Sequence, residues 1–423
     1  MSSSARISAL APFRVRSFRF QWPADLATSW AFEMETLILG WYVLVETQSV
    51  LMLTIYASLQ YVGTLLAPMF GVMGDRVGHR NVLCAMRAMY AVLATLLMSL
   101  ALMDAVTPMI VLAIAAMLGL VRPSDIGMRT ALVGETMPPS QLMGAMSIQR
   151  TTQDTARIAG ALTGAGLVAM LGMGSAYVAV VCFYMISLVL TWQAGNKQAG
   201  GEHPPSAGKA SGVQRASPWR ELREGLSYVW HAPQLRAAML FAFLLNLTAF
   251  PLFTGLMPYV AKEVYGADQT TLGTMVASAA TGALIGSIIM TRFGGLFRPA
   301  RAMIVFGIAW LAMLLVFVQT QSPATGIPVL MVAGCMQTMC LIPNIALLLR
   351  NSDERYRGRI MGIRMMAIYG NLPGLLLAGP LIATFGYTKM AMGYSLFGII
   401  FAVLIALNWR RHLWQSGAAA NVR

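Results

Sequence analysis

The sequence predicts an all-α polytopic membrane protein, with twelve transmembrane helices in two pseudo-symmetric six-helix bundles. Three observations point there. Hydrophobic residues make up 57% of the 423, and charged residues only 11%, where a soluble chain carries about a quarter charged. The apolar residues are gathered into runs centred at about 22–45, 50–72, 82–102, 107–127, 143–170 and 175–192, then at about 236–260, 270–291, 302–320, 326–349, 360–384 and 388–409. Each run is long enough to cross about 30 Å of hydrocarbon. Basic residues recur in short clusters between alternate runs, as the positive-inside rule requires.

In chain order, a basic arm with Arg6, Arg14, Arg16 and Arg19 comes first. It has no small-residue cleavage site after a short apolar stretch, so the first helix is expected to be both targeting signal and permanent span. The loops after the second, fourth, eighth and tenth runs hold Arg76, Arg80, Arg129, Arg292, Arg298, Arg355, Arg357 and Arg359, whereas the opposite loops hold only Lys262 and Lys389. That asymmetry predicts cytoplasmic termini in a bacterial plasma (inner) membrane. It also explains the net charge of +14 without a nucleic-acid partner, because no single domain gathers the charge. Residues 1–192 form the expected first bundle. The Gly-, Ala-, Ser- and Pro-rich stretch 193–218 reads as a flexible cytoplasmic linker, and 219–423 as the second bundle with a short tail. Trp219, Leu222, Leu226, Val229 and Trp230 recur at helical spacing and predict an interfacial helix ahead of the seventh span.

Between the second and third runs stands Gly71-Val-Met-Gly-Asp75-Arg76-Val-Gly78-His-Arg80. Gly78 suits a positive φ, and Gly71 and Gly74 allow close helix passage. This stretch resembles the signature loop of the major facilitator superfamily, with His79 in place of the first arginine of the final pair. The resemblance implies two six-helix halves with a substrate site between them. It also implies a cytoplasmic gate in which Asp75 sits near the eleventh span's N-terminus, where the helix dipole favours an acid, and pairs with Arg357 or Arg359.

Further runs resemble the exporter-like branch that includes siderophore and macrolide exporters. These are Met34-Glu35-Thr36-Leu37 with Gly40-Trp41, Gly119 through Asp125 and Arg129 to Pro138, Arg157-Ile-Ala-Gly160 with Gly164, and Arg357-Gly358-Arg359. Gly160 is followed by Ala161 where the antiporter signature has Pro, and Arg122 stands where the branch commonly has a neutral residue. Gly160-x-x-x-Gly164 is echoed by Gly374-x-x-x-Ala378 in the second half, and both permit close helix contact.

Charged groups at mid-membrane depth cost about 2.5–3.5 kcal/mol each on insertion scales, so each one present is a candidate. Glu33 and Glu35 lie two apart, about 200° around a helix, and cannot face one cavity together. Asp25, Ser29, Glu33, Thr36 and Gly40 form one small or polar stripe that favours Glu33, whereas the family-like run favours Glu35. Either carboxylate could carry protons. The structural alternative is an interhelical salt bridge, with Arg122 as partner. Spacing of i, i+3 suggests the pairs Arg122–Asp125 and Asp154–Arg157, and Arg122, beside Pro123, could also attract an anionic substrate. In the tenth span Cys335, Met336, Met339 and Cys340 are soft ligands on shared faces, a pattern compatible with Cu(I).

Enzyme signatures are absent: there is no phosphate-cradling Gly-rich motif, and His79, His203, His231 and His412 have no catalytic or metal spacing. Cofactor-binding and metal residues are therefore expected to be none. The expectation is a monomeric secondary transporter using protons as coupling ion to export a small amphiphilic molecule. The alternatives are an uptake permease for a nutrient or metal, and a non-transporting sensor or scaffold.

Overall fold

The computed structural model describes residues 11–194, 218–352, 360, 363–364 and 366–411. Among these residues there is no strand. The first half comprises α1 (Arg16–Thr47), α2 (Val50–Leu59), α3 (Ala67–Val77), α4 (His79–Leu102), α5 (Pro108–Thr136) and α6 (Pro139–Gln193). The second comprises α7 (Pro218–His231), α8 (Pro233–Phe250), the single turn α9 (Met257–Tyr259), α10 (Gln269–Phe293), α11 (Pro299–Val318), α12 (Pro323–Arg350), α13 (Asn371–Phe385) and α14 (Tyr387–Asn408).

Among the described residues, nine helical stretches are long and apolar enough to cross a membrane. At 32 residues α1 is also long enough, but Asp25, Glu33 and Glu35 set it apart from those nine. The run 50–72 is not one helix. A 3-10 segment, Val62–Leu66, separates α2 from α3. The fifth and sixth runs are joined in α6, and the break falls at Gly172, whose φ of 79° and ψ of 173° interrupt the helix. Only glycine visits that region without strain.

Local chemistry sets the boundaries. Proline opens α5, α6, α8, α11 and α12, where its missing N–H would have been unpaired anyway. Pro251 ends the α8 ladder, and the chain continues in a π turn with Leu256 N–H donating to Pro251 O at 3.0 Å. At the start of α10, Asp268 caps the helix by accepting from the Thr271 N–H (2.9 Å) and hydroxyl (2.8 Å). Those two donors hold its carboxyl below the usual carboxylate range. Stabilisation from this cap is therefore full at neutral pH and fades only once strongly acidic pH falls through the lowered value. Asp268→Ala should cost about 1 kcal/mol, read as a lower unfolding temperature at pH 7 and a smaller difference in strong acid.

Two hydrophobic cores result. One gathers Met34, Ile38, Leu83, Tyr90, Leu118 and Tyr177 from the first half. The other gathers Phe241, Leu245, Met275, Trp310, Leu330 and Ala402 from the second, and reaches across to Leu37, Ala161 and Ala165. The halves meet through the ends far from the Gly78 turn. Lys262 Nζ reaches Leu44 O at 3.5 Å, Gly379 lies against Leu51 and Thr54, and Gly273 lies against Ala161 and Ala165 so closely that a Cβ there would collide.

The expected glycine contacts are present. Gly160 and Gly164 pack α6 on α1, where a Cβ would stand 3.0 Å from Trp30 O and from Met34 Cα. Gly374 does the same against Leu247 and Pro251. In α7, Val229 is buried while Leu226 and Trp230 are exposed.

Candidate functional site

Three charged clusters lie along α1, each pairing an acid of that helix with arginines from other helices. The deepest centres on Glu35, which is 0% exposed. One of its oxygens, Oε2, accepts from Arg122 Nη2 and from the Tyr184 hydroxyl at 2.9 Å. Arg122 also donates to Gln60 Oε1 at 3.0 Å and to Thr36 Oγ1 at 3.3 Å, and its guanidinium lies 3.8 Å from the centre of the Phe32 ring. This shell is supplied by α1, α5, α6 and Gln60, the residue that caps the C-terminal end of α2. The remaining oxygen, Glu35 Oε1, is buried with no hydrogen bond of good geometry, and the neighbouring Tyr177 hydroxyl, in the same condition, is close enough to act as its donor.

Ten residues earlier, about 15 Å along the helix, Asp25 binds Arg87 of α4. Gln149 Nε2 donates to it at 3.2 Å, and Arg129 Nε stands 3.6 Å away. Arg129 in turn pairs with Asp125 one turn earlier and donates to Ser29 Oγ at 2.8 Å. Arg87 also donates to Thr191. The third cluster is more open. Glu33 takes Arg157 Nε at 3.3 Å, with the arginine side chain 44% exposed, and Arg150 takes Asp154 at 3.4 Å.

The two glutamates sit in different surroundings. Glu35 is sealed inside the first half, and Glu33 lies on a partly exposed face of α1 that packs against α6. Both i, i+3 pairs need correction. Arg122 is joined to Glu35 rather than Asp125, and Arg157 to Glu33 rather than Asp154, because a carboxylate on the packed neighbour helix satisfies each guanidinium better than one on its own. With that carboxylate in place, Arg122 is not a free cation for substrate. Arg87 was missed, although an arginine five residues into an apolar run is itself a signal. Tyr177, Tyr184 and Gln60 had none, since only the fold brings them to Glu35.

At the predicted gate, α3 runs to Val77 and the chain reverses at Gly78, with φ 96° and ψ 131°. Arg80 Nη1 donates to Ala194 O at 3.3 Å, His79 Nδ1 lies 3.0 Å from Glu135 Oε1, and Arg76 is exposed. Gly74 packs against His79 and Met128 as expected, but Gly71 meets open space, so its small size serves no packing here. The Asp75 side chain and Arg357 and Arg359 lie outside the described residues. In α12, Cys335 Sγ and Met339 Sδ are 3.8 Å apart, while Cys340 packs against Phe241 and Gly307.

A family model described as the Major Facilitator Superfamily matches residues 26–371. The chain belongs to the major facilitator superfamily. Solved superfamily transporters share its fold at low identity. The POT family transporter PepTSo superposes with a TM-score of 0.73 at 13% identity, covering 95% of this chain and 99% of that one. The nucleoside transporter NupG gives 0.72 at 12%, covering 92% and 99%. A bacterial homologue of the human lysosomal transporter Spinster, inward-facing and unoccupied, gives 0.72 at 12%, covering 95% and 99%. No curated protein matches in sequence. At such identities the likeness establishes the fold of a superfamily transporter, and function rests on the side chains described above.

Proposed function

We propose that this superfamily member is a proton-coupled secondary transporter that exports a small amphiphilic compound by alternating access. The observation that carries the reading is the Glu35 site: a carboxylate sealed within the first half, with one oxygen committed to Arg122 and Tyr184 and the other facing the Tyr177 hydroxyl alone. The Tyr177 hydroxyl can donate to Oε1 while Glu35 is charged and accept from it once a proton is bound, so the site has a place to hold a proton in either state. Protonation also removes the charge that opposes Arg122, which loosens the tie between α1 and α5. A proton taken from one side and released on the other thereby becomes a shift in helix packing. Export is supported by the residue runs shared with the exporter-like branch.

In this reading there are twelve spans. The first is α1, the second is α2 with α3, and α6 supplies both the fifth and sixth on either side of Gly172. Both termini are cytoplasmic, and the protein works as a monomer in a bacterial inner membrane. Contact between the halves at the ends away from the Gly78 turn supports an inward-facing conformation. The Asp75 latch to Arg357 or Arg359 would then form only when the cytoplasmic ends close.

The test is proton release from energised everted vesicles. Addition of a transported amphiphile should collapse part of an imposed pH gradient in vesicles holding the protein and not in control vesicles. Flux that survives collapse of the pH gradient and follows sodium would overturn proton coupling.

A further inference from the structure

In the second half, α10, α11 and α12 carry charge of one sign only. Between Asp268 and Asp353 the sequence has Arg292, Arg298, Arg301 and Arg350 and no acid. These arginines share one end of the bundle. Arg292 lies in the last turn of α10, Arg298 and Arg301 at the start of α11, and Arg350 in the last turn of α12. Two of them border a cavity. α10 and α11 each pack on α12 rather than along each other, and the short Gly294–Leu296 turn carries the chain from one to the other. Beside that turn opens a cavity of about 310 Å³. Leu296, Phe297, Val305 and Phe306 give it apolar walls, and Arg298 and Arg301 are the charged residues of its lining. The Phe297 and Phe306 rings meet edge to face with 5.6 Å between centres, which braces the turn against α11. Leu296 is 80% exposed, and Ile288, Phe293 and Val305 are exposed as well, so apolar surface continues out of the cavity along both helices.

Apolar walls with guanidiniums at the rim match a ligand that is itself apolar at one end and anionic at the other. A phosphodiester offers the planar fork of an arginine two oxygens at once, and acyl chains cover the apolar wall. A free phosphate would satisfy the arginines and leave that wall in water. The volume is at the small end for a ligand pocket, so it takes a headgroup and the first carbons of the chains rather than a whole lipid. We propose that this cavity binds an anionic phospholipid of the cytoplasmic leaflet, with its phosphate on Arg298 and Arg301 and its chains leaving along Leu296 and Val305. The positive-inside rule puts the arginine-bearing end in that leaflet, where anionic headgroups attract basic residues. The site lies in the opposite half from Glu35, and it stands whether or not transport is coupled to protons.

The test is thermal unfolding of the purified full chain in a neutral detergent. It is titrated with dioleoylphosphatidylglycerol or dioleoylphosphatidylcholine, which share their acyl chains and differ in headgroup. Half-saturation of stabilisation should come at about tenfold lower concentration for the phosphatidylglycerol, as expected for two arginines meeting an anionic lipid. Arg298→Gln/Arg301→Gln should erase that preference. Leu296→Glu, at an exposed position, should erase it too, because its carboxylate repels the phosphate. Arg292→Gln/Arg350→Gln removes as many charges from the same end without changing the cavity lining, and should leave the preference unchanged. If the preference survives in the first double variant or in Leu296→Glu, the proposal is wrong. Equal stabilisation by the two lipids also overturns it. A loss in Arg292→Gln/Arg350→Gln as large as in Arg298→Gln/Arg301→Gln would show a general attraction to the basic end in place of a site. Stabilisation by inorganic phosphate that is lost in Arg298→Gln/Arg301→Gln would assign the cavity to a free anion and overturn the lipid assignment.

Discussion

Glu35→Gln should lower gradient-driven transport by about 100-fold, the lower end of what a positioned proton-transfer group contributes, while substrate exchange down its own gradient continues. Glutamine keeps the shape and an acceptor for Tyr184 but has no proton to take up or release. The change should also be felt in stability. Arg122 would retain Gln60, Thr36 and Tyr184 but lose its only counter-charge, and an uncompensated buried charge costs about 3–5 kcal/mol. The double variant Glu35→Gln/Arg122→Gln removes both charges and should recover most of the lost unfolding temperature without recovering uphill transport. Glu33→Gln should behave differently. Its partner Arg157 is 44% exposed, so water replaces what the carboxylate supplied and the effect on stability should be small. Uphill transport that persists in Glu35→Gln proteoliposomes with its pH dependence intact would refute the assignment.

The membrane architecture was legible in the sequence because hydropathy and loop charge answer to one requirement, that backbone and charge stay out of hydrocarbon unless paired. The Gly160-x-x-x-Gly164 stripe was legible for a similar reason, since two small residues one turn apart have a single use against a neighbouring helix. Pairing was not legible. Spacing along one helix suggested Arg122 with Asp125, but the arginine reaches α1 instead, and Asp125 meets Arg129 one turn on. A helix offers a guanidinium only what lies above and below it, whereas a packed bundle offers a ring of alternatives at equal depth. The break at Gly172 was readable only as a gap between apolar runs, because a turn made at a single positive-φ glycine leaves no change in composition.

Two buried ion clusters a few turns apart on α1 raise the question of which one couples to transport, and Asp25–Arg87 provides the control. Arg87 is 0% exposed, and its charge is matched by Asp25. Arg87→Met should therefore lower stability by about 3–5 kcal/mol, because Asp25 would be left with only a neutral Gln149 and an Arg129 already committed to Asp125. Asp25→Leu should cost a similar amount by stranding Arg87. The two together leave Arg129 and Asp125 as a complete pair, and replacing a buried ion pair by apolar side chains of similar volume is often neutral or better. The double variant should then unfold near the wild-type temperature, so the cycle should return a coupling energy of about 6–10 kcal/mol, the sum of the two single losses. Single variants indistinguishable from wild type would show that the pair bears no load. The same double variant should still drive uphill transport, whereas the Glu35/Arg122 double should not. The physical difference is that every oxygen of Asp25 is already engaged, so a proton arriving there would have to displace a bond. Glu35 Oε1 faces only the Tyr177 hydroxyl, which can turn from donor to acceptor when a proton arrives.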